Sequence, residues 1–189
     1  MTKKLAEMTL EELWELFPIV LTKHQAIWKS FFKDELLLLK RAFADGDVII
    51  NHIGSTAVEG LWAKPIIDIL VEVPSNKSLA AYYALIRGCG YRLMSEAPSR
   101  ASFNKGYTEK GFAERVFHLH LRFYGDHDEL YFRDYLRLYP QAAKEYEALK
   151  FKLWKQFEHN RDAYTEAKTA FIAQATAKAK SEFGKRYQR

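Results

Sequence analysis

Residues 52–72 read HIGSTAVEGLWAKPIIDILVE, and the fold turns on this stretch. A β-branched run, Val48 to Ile53, leads into the small-residue turn Gly54-Ser55-Thr56. A second, largely apolar run, Pro65 to Val73, follows and carries the acid Asp68 at its middle, with Glu72 near its end. Both runs read as strands, and Pro74 stops the second. Backbone N–H groups exposed by such a turn can hold a phosphate. Gly54 lets the chain bend sharply and a ligand come close, while Ser55 and Thr56 add hydroxyl groups. An ordinary capped connection uses the same residue types. The spacing excludes a P-loop, because no Gly-Lys-Ser/Thr follows.

Side chains alternate along a strand. Ile67, Ile69, Val71 and Val73 therefore suit the core, and Ile66, Asp68, Leu70 and Glu72 share the other face. A lone carboxylate in an apolar strand needs a cation, a hydrogen-bond cage or solvent. Asp68 is accordingly a candidate metal ligand, with an ion pair to Lys64 or another basic group as the plainer alternative. Glu72 lies about 13 Å further along and reads as a solvated strand end.

A third strand spans Phe117 to Tyr124, where strict alternation puts His118, His120 and Arg122 on one face. Two histidines at this spacing can ligate a metal or touch a phosphate, although a half-exposed antiparallel strand has the same pattern.

The rest of the chain supplies helices. Thr9 and Glu12 predict a capping box on a helix over 9–17. A second helix is predicted over 22–44, with Ile27, Phe31 and Leu38 as its apolar face, and a short one over 78–87. Tyr91 to Met94 reads as a strand. Residues 98–113, with Pro98, Gly106 and Gly111, read as loop. Helices are predicted at about 128–138, 141–158 and 161–180. Tyr146, Leu149, Leu153 and Phe157 have core spacing. Arg161, Tyr164 and Lys168 share a helix face, as a basic stripe for an anion or a solvated surface. Arg133 adds charge nearby. The last residues are basic, including Lys185, Arg186 and Arg189.

This order predicts an α+β fold, a small mixed β-sheet flanked by helices, as one domain over 1–189 with a helical extension from about 141. Of 189 residues 48% are hydrophobic and 15% aromatic, enough for a core and against disorder. The net charge of +5 admits an anionic ligand. The basic residues form no aromatic-interleaved patch, so nucleic acid is not the expected partner. One cysteine, Cys89, excludes an internal disulfide framework and suits a reducing compartment. No apolar leader and no membrane-length run is visible, so the expected location is cytoplasmic, with no membrane partner. Nothing in the sequence sets an oligomeric state.

The stretch at 52–73, together with FHLHL at 117–121, YFRDYLR at 131–137 and the Arg161–Tyr164–Lys168–Phe171 pattern, resembles the GrpB-like proteins of the nucleotidyltransferase-like superfamily. The resemblance runs from about residue 17 to 175. It implies a glycine-serine turn and an acidic strand holding a metal–nucleotide complex, with Mg²⁺ or another divalent metal. Gly54 and Ser55 match the turn, Asp68 matches the first acid, and Lys64 matches a phosphate-contacting position. Leu70 stands where a second acid would be, and His118 and His120 stand on the strand expected to bring the third. The implied ligand is a nucleotide or other phosphorylated small molecule. Asp68, His118 and His120 are the expected catalytic and metal-binding residues. Gly54, Ser55, Thr56, Lys64, Arg122 and Arg133 are expected at phosphate. Nucleotidyl transfer to a small acceptor is the implied reaction class, and the alternative is a non-catalytic ligand- or protein-binding relative.

Overall fold

A computed structural model describes residues 3–44 and 46–187. Asp45 and the terminal Arg189 lie outside the described residues. Five strands form one mixed sheet: β1 (Ile49–Ile53), β2 (Ile67–Val73), β3 (Arg92–Ala97), β4 (Arg100–Thr108) and β5 (Gly111–Phe123), in the order β1-β2-β5-β4-β3. β2 pairs with β5 in parallel, and the other neighbours are antiparallel. The helices are α1 (Leu10–Leu16), α2 (Ile27–Ala42), α3 (Tyr83–Gly88), α4 (Asp128–Leu138), α5 (Pro140–Phe157), α6 (Arg161–Glu166) and α7 (Thr169–Phe183). No helix among the described residues is long and apolar enough to cross a membrane.

Strand parity divides the molecule. Ile67, Ile69, Val71 and Val73 of β2 join Phe117, Leu119 and Leu121 of β5 in the main core, against Trp28, Leu39 and Phe43 from the α2 side and Ile86 of α3. Each such side chain contributes roughly 1.5–3 kcal/mol on leaving water. That gain lets the opposite face carry polar groups. There Asp68, Leu70, His118 and His120 look toward the α4–α7 side. Leu70 is fully buried against Ile53 and Leu130.

The Thr9–Glu12 capping box forms as expected. Several readings change. Residues 98–113 are mostly strand. Ala97 and Arg100 flank a tight turn at Pro98-Ser99, and Thr108 pairs with Gly111 across another. Gly106 marks a bulge, where the register shifts between Lys105 and Tyr107 and φ is +92°. A glycine inside a strand signals a bulge as readily as a loop. On α2 the buried face is Trp28, Glu35 and Leu39, whereas Ile27 and Leu38 are exposed. The disguise is Glu35, a charge on the core face that accepts from Lys105 Nζ at 2.8 Å. The predicted helix at 161–180 is two helices, with Lys168 at the break.

Glu72 is not a solvated end. It is 2% exposed, 2.8 Å from His127 Nδ1, and accepts from the Gly125 N–H at 3.2 Å. A buried carboxylate survives where such partners exist, and the sequence hid them beyond the next strand's end.

Candidate functional site

β1 delivers the chain to Gly54, where φ is +72° and ψ is −173°. That region is open almost only to glycine. A second constraint comes from the sheet. Ile53 lies opposite Asp68, and a Cβ on Gly54 would stand 2.3 Å from Asp68 Oδ2. Ser55–Ala57 then forms a single 3-10 turn. The Thr56 hydroxyl donates to the Ile66 carbonyl at 3.1 Å and lies 3.0 Å from His52 Nε2. It fastens the turn to the start of β2.

The parallel register places His118 beside Asp68 and His120 beside Leu70. His118 Nδ1 lies 3.4 Å from Asp68 Oδ1, and His120 Nε2 lies 3.8 Å from the same oxygen. His118 Nε2 is 2.7 Å from the Tyr107 hydroxyl, which accepts from Arg161 at 2.8 Å. Because Arg161 can only donate, the tyrosine proton is free for His118 Nε2. The His118 proton then sits on Nδ1, facing Asp68. Burial alone would raise the Asp68 carboxyl, but the two imidazoles more than offset it and hold it well below the usual carboxylate range. Burial lowers His118 despite the pull of Asp68.

These groups line a cleft of about 1040 Å³. Gly54, Ser55, Thr56, Lys64, Asp68, His118 and His120 all reach it, as expected. Three basic groups join them. Lys150 Nζ donates to Ser55 Oγ at 3.3 Å and to the Trp62 carbonyl. Lys64 and Lys168 lie 5.4 and 4.2 Å from the centre of the Tyr164 ring. Arg161 lies 5.4 Å from the Tyr107 ring. Among the described residues none of Lys64, Lys150, Arg161 and Lys168 forms an ion pair with a carboxylate. Burial pulls Lys64 and Lys150 down to about 7 and Lys168 to about 8, and the neighbouring Lys168 and Arg161 depress Lys64 further. Such a set has the sign, the crowding and the empty acceptor side of an anion site.

Two expected phosphate residues stay out. Arg122 is 6% exposed, donates to the Ala101 and Leu121 carbonyls, and lies 3.5 Å from His120 Nδ1. It sits behind His120 instead of beside a ligand. Arg133 donates to the His52 carbonyl at 2.8 Å and forks onto Asp134 at 2.7 and 2.9 Å. It ties α4 to β1. Lys150 is the residue the sequence concealed. It lies one turn after Tyr146 in an apolar-spaced helix, and only that i+4 position hinted at an inward lysine. The Arg161–Tyr164–Lys168 stripe turns inward, with Tyr164 1% exposed. Tyr107 was hidden by the loop reading of its strand.

The expected metal set, Asp68, His118 and His120, comes together, with both imidazoles within 3.8 Å of one carboxylate oxygen. Among the described residues no three His, Cys, Asp or Glu side chains are grouped to hold a metal. Mg²⁺ takes six oxygens at about 2.0–2.1 Å. One carboxylate flanked by two imidazoles, with aliphatic Leu70 in the next position, does not fit that ion. The lining of the cleft also holds Lys64, Lys150, Arg161 and Lys168, whose charge suits an anion.

Comparison with known proteins places the chain in a family and a fold. A family profile described as "GrpB protein" matches residues 18–178. The Bacillus subtilis protein YqkA is 32% identical over 185 residues, covering 95% of this chain but 53% of YqkA, so the chain spans about half that relative's length. The crystal structure of the conserved protein GrpB from Enterococcus faecalis superposes with a TM-score of 0.75 at 30% identity, covering 87% of this chain and 99% of that one. A structure of the Cid1 poly(U) polymerase bound to MgATP superposes with a TM-score of 0.53 at 12% identity, covering 84% of this chain and 52% of the polymerase. That likeness shows a nucleotidyltransferase-like fold. On the profile match and the relatives, the chain belongs to the GrpB family.

Proposed function

We propose that the cleft binds a nucleotide or another phosphorylated small molecule. The observation that carries this reading is the convergence of Lys64, Lys150, Arg161 and Lys168, unpaired with carboxylates, around the Gly54-Ser55 turn. Crowded ammonium groups near neutral pKa are stabilised when a polyanion arrives, because each regains its charge beside an opposite one. Ser55 Oγ and the turn's backbone would meet one phosphoryl group. Asp68, His118 and His120 would face the reacting end. There His118, oriented by Asp68 and Tyr107, would take or give a proton. Transfer of a nucleotidyl group to a small acceptor is the reaction class that suits this fold and this arrangement.

Isothermal titration with ATP, run in EDTA and again with Mg²⁺, tests the binding step. Binding that Lys150→Ala and Lys168→Ala each weaken about tenfold is expected from the loss of one charged contact. Unchanged binding in both variants, or none in the parent, would sink the proposal.

A second reading is favoured by Leu70. Its burial against Ile53 and Leu130 leaves apolar surface where a second acid would stand. On that reading the cleft binds and does not transfer. Incubation with labelled ATP or CTP and a pool of small acceptors separates the two, since a covalent product that vanishes in Asp68→Asn is incompatible with binding alone.

A further inference from the structure

The cleft has a second end that phosphate does not explain. Leu10, Leu13 and Trp14 of α1 line it, together with Leu5 and Ala6 just before the helix. Not one residue of α1 is buried. Leu10 is 49% exposed, and Leu13 and Trp14 are half-buried. An amphipathic helix normally hides its apolar stripe against protein. Here the stripe lines the same cavity as Lys64, Lys150, Arg161 and Lys168. The two ends are joined through rings. Phe17, just after α1, lies 4.8 Å from the Tyr107 ring, and the Tyr107 hydroxyl accepts from Arg161.

We infer that α1 forms the roof of a subsite for a flat aromatic group, and that the ligand is a phosphate ester carrying such a group. The inference rests on the phosphate-binding reading above and adds the other half of the molecule bound. Trp14 supplies a large, rigid face at low entropic cost, and Leu10 and Leu13 flank it. An aromatic body stacked there covers apolar surface that the fold leaves open, while its phosphates reach the lysines. α1 also lies outside residues 18–178, the stretch that matches the family profile. The phosphate end belongs to the matched region, and the aromatic end is built by residues beyond it.

The test uses the full chain and two probes, ATP and inorganic tripolyphosphate, which share the anionic chain and differ in the aromatic body. ATP is expected to bind more tightly and to change Trp14 fluorescence, a signal absent in Trp14→Phe. Trp14→Ala is expected to weaken ATP about tenfold, the typical worth of one stacked base, and to leave tripolyphosphate unchanged. Because Trp14 is only half-buried and no α1 residue belongs to the core, the variant should fold, and circular dichroism checks this. Equal affinity for both probes, or equal loss for both in Trp14→Ala, overturns the aromatic subsite and leaves phosphate binding standing. Failure of both probes to bind the parent instead overturns the phosphate reading beneath it.

Discussion

Gly54 and Asp68 occupy each other's space: a single methyl on the glycine would lie 2.3 Å from the acid's Oδ2. The turn and the acid are one fitted piece. Gly54→Ala would also hold alanine at φ +72°, ψ −173°, a conformation costing about 1–3 kcal/mol. The expected result is a melting temperature lower by roughly 5–10 °C in a thermal scan, at about 2–4 °C per kcal/mol for a chain of this size. A melt within one degree of the parent would show that Asp68 can step aside.

Lys64 is a buried cation whose cost to stability the proposed anion site would explain. It makes no ion pair among the described residues, and burial drags it to about 7. Lys64→Met keeps the volume and removes the charge. Melting of the ligand-free protein is expected to rise, while ATP binding in calorimetry is expected to weaken about tenfold. A loss of both stability and binding would mark Lys64 as a structural pillar instead.

The buried lysines set a pH window. An unfolded lysine keeps its proton to about 10.4, whereas Lys64 and Lys150 release theirs near 7 and Lys168 near 8. Between those values the unfolded chain binds more protons, so stability rises with pH from about 7 toward 10. Below 7 both states are protonated and the cost of burying the charges is fully felt. Ligand affinity runs the opposite way, falling as the lysines lose charge. Calorimetry at pH 8 in buffers of different ionisation enthalpy should register proton uptake on ATP binding, and zero uptake would refute the shifted lysines.

Tyr107→Phe removes one hydroxyl from the line running from Arg161 to Asp68. Tyr107 donates to His118 Nε2, which favours the neutral ring. Without it the imidazole is expected to titrate at higher pH, visible by NMR, with a stability loss of about 1 kcal/mol. An unmoved titration curve would place the tyrosine proton elsewhere.

Much of this was legible from the chain, and what was not has physical causes. The apolar parity of residues 67–73 revealed the core face, because side chains alternate along a strand and every odd position there is apolar. The His-x-His strand was legible for the same reason. Its adjacency to Asp68 was not, since a parallel pairing across β3 and β4 leaves no local trace. Lys150 and Glu35 drew no reading, because each puts a charge where periodicity calls for an apolar residue. Each compensates through a partner distant in sequence, Ser55 for one and Lys105 for the other. Glu72 was misjudged likewise, as its partner His127 lies beyond the end of β5.

The packing of Leu70 against Ile53 and Leu130 makes an acid at this position hard to acquire. An aspartate placed at 70 alone would be a charge under an aliphatic lid, at a cost of several kcal/mol before any benefit. Leu130 on α4 would have to change in step. Descendants of this chain are therefore separated from a carboxylate pair by a valley of unstable intermediates, and mutations that refine the lysine cleft are the nearer path.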